Sequence, residues 1–252
     1  MMPRIIHYTR SVPAMAAAAI MAIPIVSLVG PSALCDSPVA SPAGPSVARE
    51  LYTPVTGDSF DRKFIEGMGG YRARSSGCGP HIIYHAEGGE RLAEEVEKIV
   101  CRSAGEIAAG TGLEEVWPVA LVIAPDTPAF RRLHSGRLPE WGEAFGDSGK
   151  MIIGFDASRV LLANRPLASV VRHELSHLFF AQRTGRARCP TWFVEGLAMK
   201  QSREWTLGDQ WRLALTVWRE DMPRLEDLRG RFPKSPRKAR MAYSISYAAF
   251  DE

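Results

Sequence analysis

The chain has 252 residues, of which 46 % are hydrophobic and 23 % charged. That length and balance suit a globular protein with a real core and exclude a disordered or low-complexity chain. The net charge of +3 is mild and gives no reason to invoke a nucleic-acid partner.

The N-terminus reads as a targeting segment. Arg4, His7 and Arg10 precede residues 11–34, which carry no Asp, Glu, Lys or Arg and are rich in Ala, Ile, Val and Met. This is the order of a secretory signal, with small residues offering cleavage between Ala33 and Ala40. The run is also long enough for an uncleaved membrane anchor, although Pro24 and Pro31 weaken it. Cys35 raises a lipoprotein reading, against which Leu34 stands where a small residue is expected. The assignment is therefore signal peptide or signal anchor over 1–35. Residues 36–57 are rich in Ser, Pro, Ala and Gly without helical or strand period and read as a linker. One domain is expected over 58–252, in an exported (secreted, periplasmic or cell-envelope) protein that is membrane-anchored if the N-terminus is retained.

Within that domain, residues 81–85 alternate weakly after Gly79-Pro80 and predict a strand. Leu92, Val96, Ile99, Val100 and Ile107 recur at helical spacing and predict a helix over 90–109, stopping at Gly110. Strands are expected over 116–124 and 150–155, with a short helix capped by Asp126-Thr127 between them. Residues 166–184 contain no glycine and no internal proline. Pro166 suits a first turn after a cap at Asn164, and Gly185 suits the stop. A third helix is expected over 205–220. A sheet followed by helices makes the fold class α+β. Of the cysteines, Cys78, Cys101 and Cys189 follow the targeting segment; an odd count predicts at most one pair among them and one thiol left over, and the spacing does not choose the pair.

The informative stretch is His173-Glu174-Leu175-Ser176-His177, an HExxH motif. On a helix the two histidines lie about 40° apart around the axis and one turn up, so both imidazoles reach one metal ion. Glu174, about 100° from His173, addresses a metal-bound water instead of the metal. Leu167, Val170, Val171, Leu175, Leu178 and Phe179 give the helix a broad apolar surface. Buried histidines need partners, and a metal supplies one. Glu195 follows after Cys189-Pro190, on a second helix that Thr191 can cap. It is the candidate third ligand of one Zn2+ ion, leaving a fourth position for water.

The runs VVRHELSHLFFAQRTG and PTWFVEGLAM resemble the peptidase MA-like domain of the gluzincin clan of zinc metallopeptidases. Softer likeness reaches upstream to HIIYHAEGGERLAEEVEKIV, VALVIAPDTPAFRRL, LPEWGEAF and KMIIGFD, and downstream to Ala242-Tyr243 with Ser246-Tyr247, covering about residues 80–252. The resemblance implies a small mixed sheet followed by a helical zincin core, in which an edge strand lines the substrate cleft. Residues 150–155 are the candidate edge, to which an extended peptide or protein substrate would add by main-chain hydrogen bonds. Thermolysin-type gluzincins often carry an aspartate four residues after the third ligand, to hold a zinc histidine. Met199 stands there in this chain, so that support must come from elsewhere.

The function read from these residues is zinc-dependent peptide hydrolysis, with His173, His177 and Glu195 as ligands and Glu174 as general base. Tyr243 is the candidate donor to the oxyanion, by likeness to the family segment. The alternative is an exported zinc-binding module without turnover, acting in binding or assembly; the presence of Glu174 argues against it, since a pure binder has no need of the base. The cations of residues 224–240 read as a solvated loop, or more sharply as a rim favouring acidic substrates or an anionic cell envelope. Trp141 and Trp192 read as core or cleft wall.

Overall fold

The computed structural model describes residues 65, 67, 69–134, 138, 142–163, 165–185, 187–218 and 223–251. The segments read as signal or anchor (1–35) and linker (36–57), together with Trp141 and Asn164, lie outside the described residues. Among the described residues five strands form one mixed sheet: β1 (Tyr71–Ser75), β2 (Ile82–Ala86), β3 (Ala120–Ala124), β4 (Ala144–Asp147) and β5 (Ile152–Asp156). The helices are α1 (Glu90–Thr111), α2 (Thr127–His134), α3 (Ala157–Val160), α4 (Leu167–Thr184), α5 (Thr191–Ser202), α6 (Leu207–Trp218) and α7 (Pro236–Asp251), with a 3-10 turn at Leu225–Leu228 before α7. The α+β class, sheet first and helical region after, is thus the observed one.

The sheet order is β1-β2-β3-β5-β4. β2, β3 and β5 run parallel because α1 and α2–β4 cross over between them; β1 and β4 pair antiparallel on the flanks. Alternation splits the central strands between two cores. Leu121 and Ile123 face α1 and α4, joining Val96, Ile107, Val171, Leu175 and Phe179. Val122 and Ala124 face the other way, onto Phe130 and Leu133 of α2.

This topology corrects the expected edge. Residues 150–155 contribute β5, which is buried throughout and paired on both sides; the edge strand is β4. The continuous apolar run MIIGF is what an interior strand of a sheet covered on both faces requires. Two caps also differ. Pro166 and Pro190 occupy the cap positions of α4 and α5, and Thr191 instead directs both its N–H and its hydroxyl to the Arg229 carbonyl, at 3.1 and 3.3 Å. At the other end of α4 the expected stop holds: Gly185 takes φ 59°, where a side chain would be strained, and its N–H caps Ala181 O. The third helix starts two residues later than expected, at Leu207, and is described as far as Trp218; the basic stretch is not all loop, since α7 starts within it at Pro236.

Cys78 and Cys101 form a disulfide that ties the β1–β2 connection to α1. Cys189 is disulfide-bonded too, so among the described residues the expected leftover thiol is not found. No helix among the described residues is long and apolar enough to cross a membrane.

Two packing constraints lead to predictions. Gly196 sits where α5 crosses α7. A Cβ there would collide with the Ser246 carbonyl oxygen and stand 2.7 Å from Phe250 Cβ. Gly196→Ala must push the helices apart, so a loss of about 1–3 kcal/mol is expected in chemical denaturation. His81, 2 % exposed, stacks on Phe179 of α4, and its Nδ1 has no hydrogen-bond partner. Burial pushes its pKa down from 6.5 to about 4. The unfolded chain therefore takes up a proton that the fold refuses. The stability carried by neutral His81 is complete above about pH 6.5 and is lost as pH falls towards 4, about 3 kcal/mol in all. Thermal melts of wild type and His81→Leu between pH 4 and 7.5 should show this slope in the first and a flatter one in the second.

Candidate metal centre

α4 carries His173, Glu174 and His177 where it crosses the start of α5, which carries Glu195. The helix pair is fixed from behind by a buried arginine. Arg172 Nε donates to Gln201 O at 2.7 Å, and its Nη1 donates to Glu106 Oε2 of α1 at 3.1 Å. With α4 and α5 so held, one ligand atom from each of His173, His177 and Glu195 lies within 4.8 Å of the other two. This is a possible metal-binding triad, composed of the three residues the motif and its spacing indicate.

The geometry fits a shared cation better than it fits hydrogen bonds. Glu195 Oε2 is buried with no hydrogen-bond partner, although it stands 3.3 Å from His173 Nε2 and 3.4 Å from His177 Nε2. Charge-assisted hydrogen bonds run at about 2.7–2.9 Å. Separations of 3.3 and 3.4 Å are too long for such bonds and leave room for a small cation among the three atoms. The electrostatics agree. Burial opposes charge on His173, yet the carboxylates of Glu195 and Glu204 overturn that penalty and push its pKa up to about 10. Burial likewise works against the Glu195 carboxylate, and the two histidines hold its pKa well below the usual range. The three side chains together call for positive charge among them.

The support missing at Met199 comes from Glu204. Its Oε1 accepts from His173 Nδ1 at 2.6 Å and from Ser202 Oγ at 2.9 Å. That bond orients the ring, with Nδ1–H towards Glu204 and Nε2 towards Glu195. Arg165 pairs with the other Glu204 oxygen and, at 3.3 Å, with Glu143. Burial alone would raise the pKa of Glu204, but His173 and Arg165 hold it low, as the carboxylate. Helical spacing could not reveal this residue. α5 ends at Arg203, whose φ of 57° is rare for a side chain other than glycine, and that left-handed turn folds Glu204 back over His173.

Glu174 is half-buried and faces the sheet edge: a methyl built on Gly146 of β4 would stand 3.2 Å from its Oε2. Tyr243, on α7, closes the other side. Its ring lies edge-on to His173 with centroids 6.5 Å apart and packs against Phe232 at 5.1 Å. Burial, followed by the charges of Glu195 and Glu174, raises its pKa, so the phenol keeps its proton and remains a donor. Next to it on α7, Tyr247 stacks on Trp205 at 4.4 Å, which holds the turn after Glu204 against the helix. Trp192 lies in small apolar clusters with Phe180, Phe193 and Leu228, as a packing residue.

The chain matches no model of a known protein family and none of the curated proteins with which it was compared. The class of the site rests on its own geometry.

Glu204→Ala should lower the affinity of the triad for a divalent transition metal about 10–100-fold, read by competition with a chromophoric chelator. Glu204→Gln, which can still accept a hydrogen bond, should lose less.

Proposed function

We propose that the protein is a zinc-dependent peptidase of gluzincin type. The observation that carries the reading is the meeting of His173, His177 and Glu195 around one point, with the Glu174 carboxylate beside it at an open sheet edge. Two imidazoles and one carboxylate are a donor set suited to zinc, and three protein ligands leave a position open, as in catalytic sites. The likeness of HELSH and WFVEGLA to the peptidase MA-like domain points the same way.

When bound, zinc supplies Lewis acidity, polarising a carbonyl and acidifying water. The remaining work falls to the chain. Glu174 takes a proton from the attacking water at its carboxylate and returns it to the departing amine. Tyr243 offers its O–H to the carbonyl oxygen as charge gathers there. Glu204, accepting from Nδ1, keeps His173 oriented with its Nε2 facing Glu195. β4 presents unpaired backbone groups on its outer side, to which an extended substrate can add as a sixth strand. Export fits the uncharged N-terminal run and the Cys78–Cys101 disulfide, since disulfides persist in oxidising compartments.

The test is cleavage of a broad peptide library by the purified protein with and without chelator. Cleavage that the chelator stops and added zinc restores is expected; a protein that retains zinc and cuts nothing overturns the reading. Glu174→Gln should retain about one zinc per chain and lose hydrolysis by a factor of about 10²–10⁴.

A further inference from the structure

A cavity of about 470 Å³ opens directly beside the metal centre. His177, a candidate ligand, forms part of its wall, and so does Gly146 of β4, the residue that abuts Glu174. A substrate lying along β4 with its scissile bond at Glu174 would therefore have the cavity beside a residue flanking that bond. Its wall is mixed: Leu178 and Val194 contribute apolar surface, Ser148 and Thr184 hydroxyls, and Arg188 and Arg229 cations; among the described residues no acidic side chain lines it.

The two arginines come from the α4–α5 connection and from the end of the 3-10 turn. Arg188 lies between the Gly185 stop of α4 and the start of α5, next to the disulfide-bonded Cys189. The carbonyl of Arg229 accepts the two hydrogen bonds from Thr191. A wall that pairs apolar surface with two guanidinium groups suits a short aliphatic stem ending in a carboxylate, because arginine binds carboxylates by paired, charge-assisted hydrogen bonds.

We propose that this cavity is a specificity pocket that takes a carboxylate of the substrate at the residue flanking the scissile bond. The inference rests on the peptidase reading and adds the substrate class to it. Two carboxylates could enter, that of an internal Glu or Asp and that of a peptide C-terminus.

The test profiles cleavage by the zinc-loaded protein on peptides paired as Glu against Gln at each position, with free and amidated C-termini. A preference for Glu or Asp at one flanking position, at least about tenfold in kcat/KM and unaffected by amidation, identifies the side chain as the occupant. Cleavage confined to free C-termini identifies the terminal carboxylate. Arg188→Glu/Arg229→Glu should reverse the preference towards Lys, and Arg188→Lys/Arg229→Lys should retain part of it; unchanged zinc content shows that both variants are folded. Cleavage with no carboxylate preference overturns the pocket assignment and leaves the peptidase reading standing. If no peptide is cut while zinc is bound, the peptidase reading falls. The pocket then rests on fluorescence anisotropy of labelled Glu and Gln peptides with the Glu174→Gln variant: tighter binding of the Glu peptide that the double Arg→Glu change abolishes supports it, and equal or absent binding overturns it.

Discussion

Three ligand atoms from two helices meet within a few ångströms only if the helices cannot slide, and Arg172 supplies that restraint. It stands next to His173 in sequence, buried on the far side of α4. It joins the Gln201 carbonyl near the end of α5 to Glu106 on α1, and Arg203 adds a second bond to Glu106 at 2.7 Å. A buried guanidinium left without partners costs several kcal/mol. Alternative offsets of α4 and α5 are penalised by that amount, beyond the loss of apolar contact. The same restraint sets where α5 ends, and therefore where the turn at Arg203 returns Glu204 to His173. Gly196 then admits α7 close enough for Tyr243 to reach the His173 ring.

The centre is dominated by carboxylates. Glu143, Glu174, Glu195 and Glu204 surround two imidazoles with Arg165 as the nearby cation, and the pKa directions follow from that imbalance. Burial raises the pKa of Glu143, with Arg165 opposing, while Glu195 is held down by both histidines and Glu204 by His173 and Arg165. A site built in this way gains most from a compact dication, which satisfies several anions from one point. The cavity next door carries Arg188 and Arg229 on its wall, opposite in charge to the carboxylates of the centre.

HELSH and Glu195 were legible because their roles are local. Two histidines four apart share a helix face wherever the helix lies, and a short Gly–Pro-bounded reversal brings a second helix back beside the first. Glu204 was not legible, because it depends on a left-handed turn at an arginine, for which sequence gives no cue. The edge strand was misassigned although a cue existed. A four-residue strand containing glycine, AFGD, is a weak signal, whereas IIGFD is strong; strength of signal follows burial, and the buried strand lies inside the sheet.

By itself the sequence determined the α+β order, the helical register of the candidate ligands and the identity of the triad, since periodicity and short spacing act within single elements. Tertiary structure alone decided which strand borders the centre, which carboxylate orients His173, how near Tyr243 comes, and that Arg188 and Arg229 share one cavity. These residues lie far apart along the chain or on irregular backbone. They meet through the packing of α4, α5 and α7, which no local rule encodes.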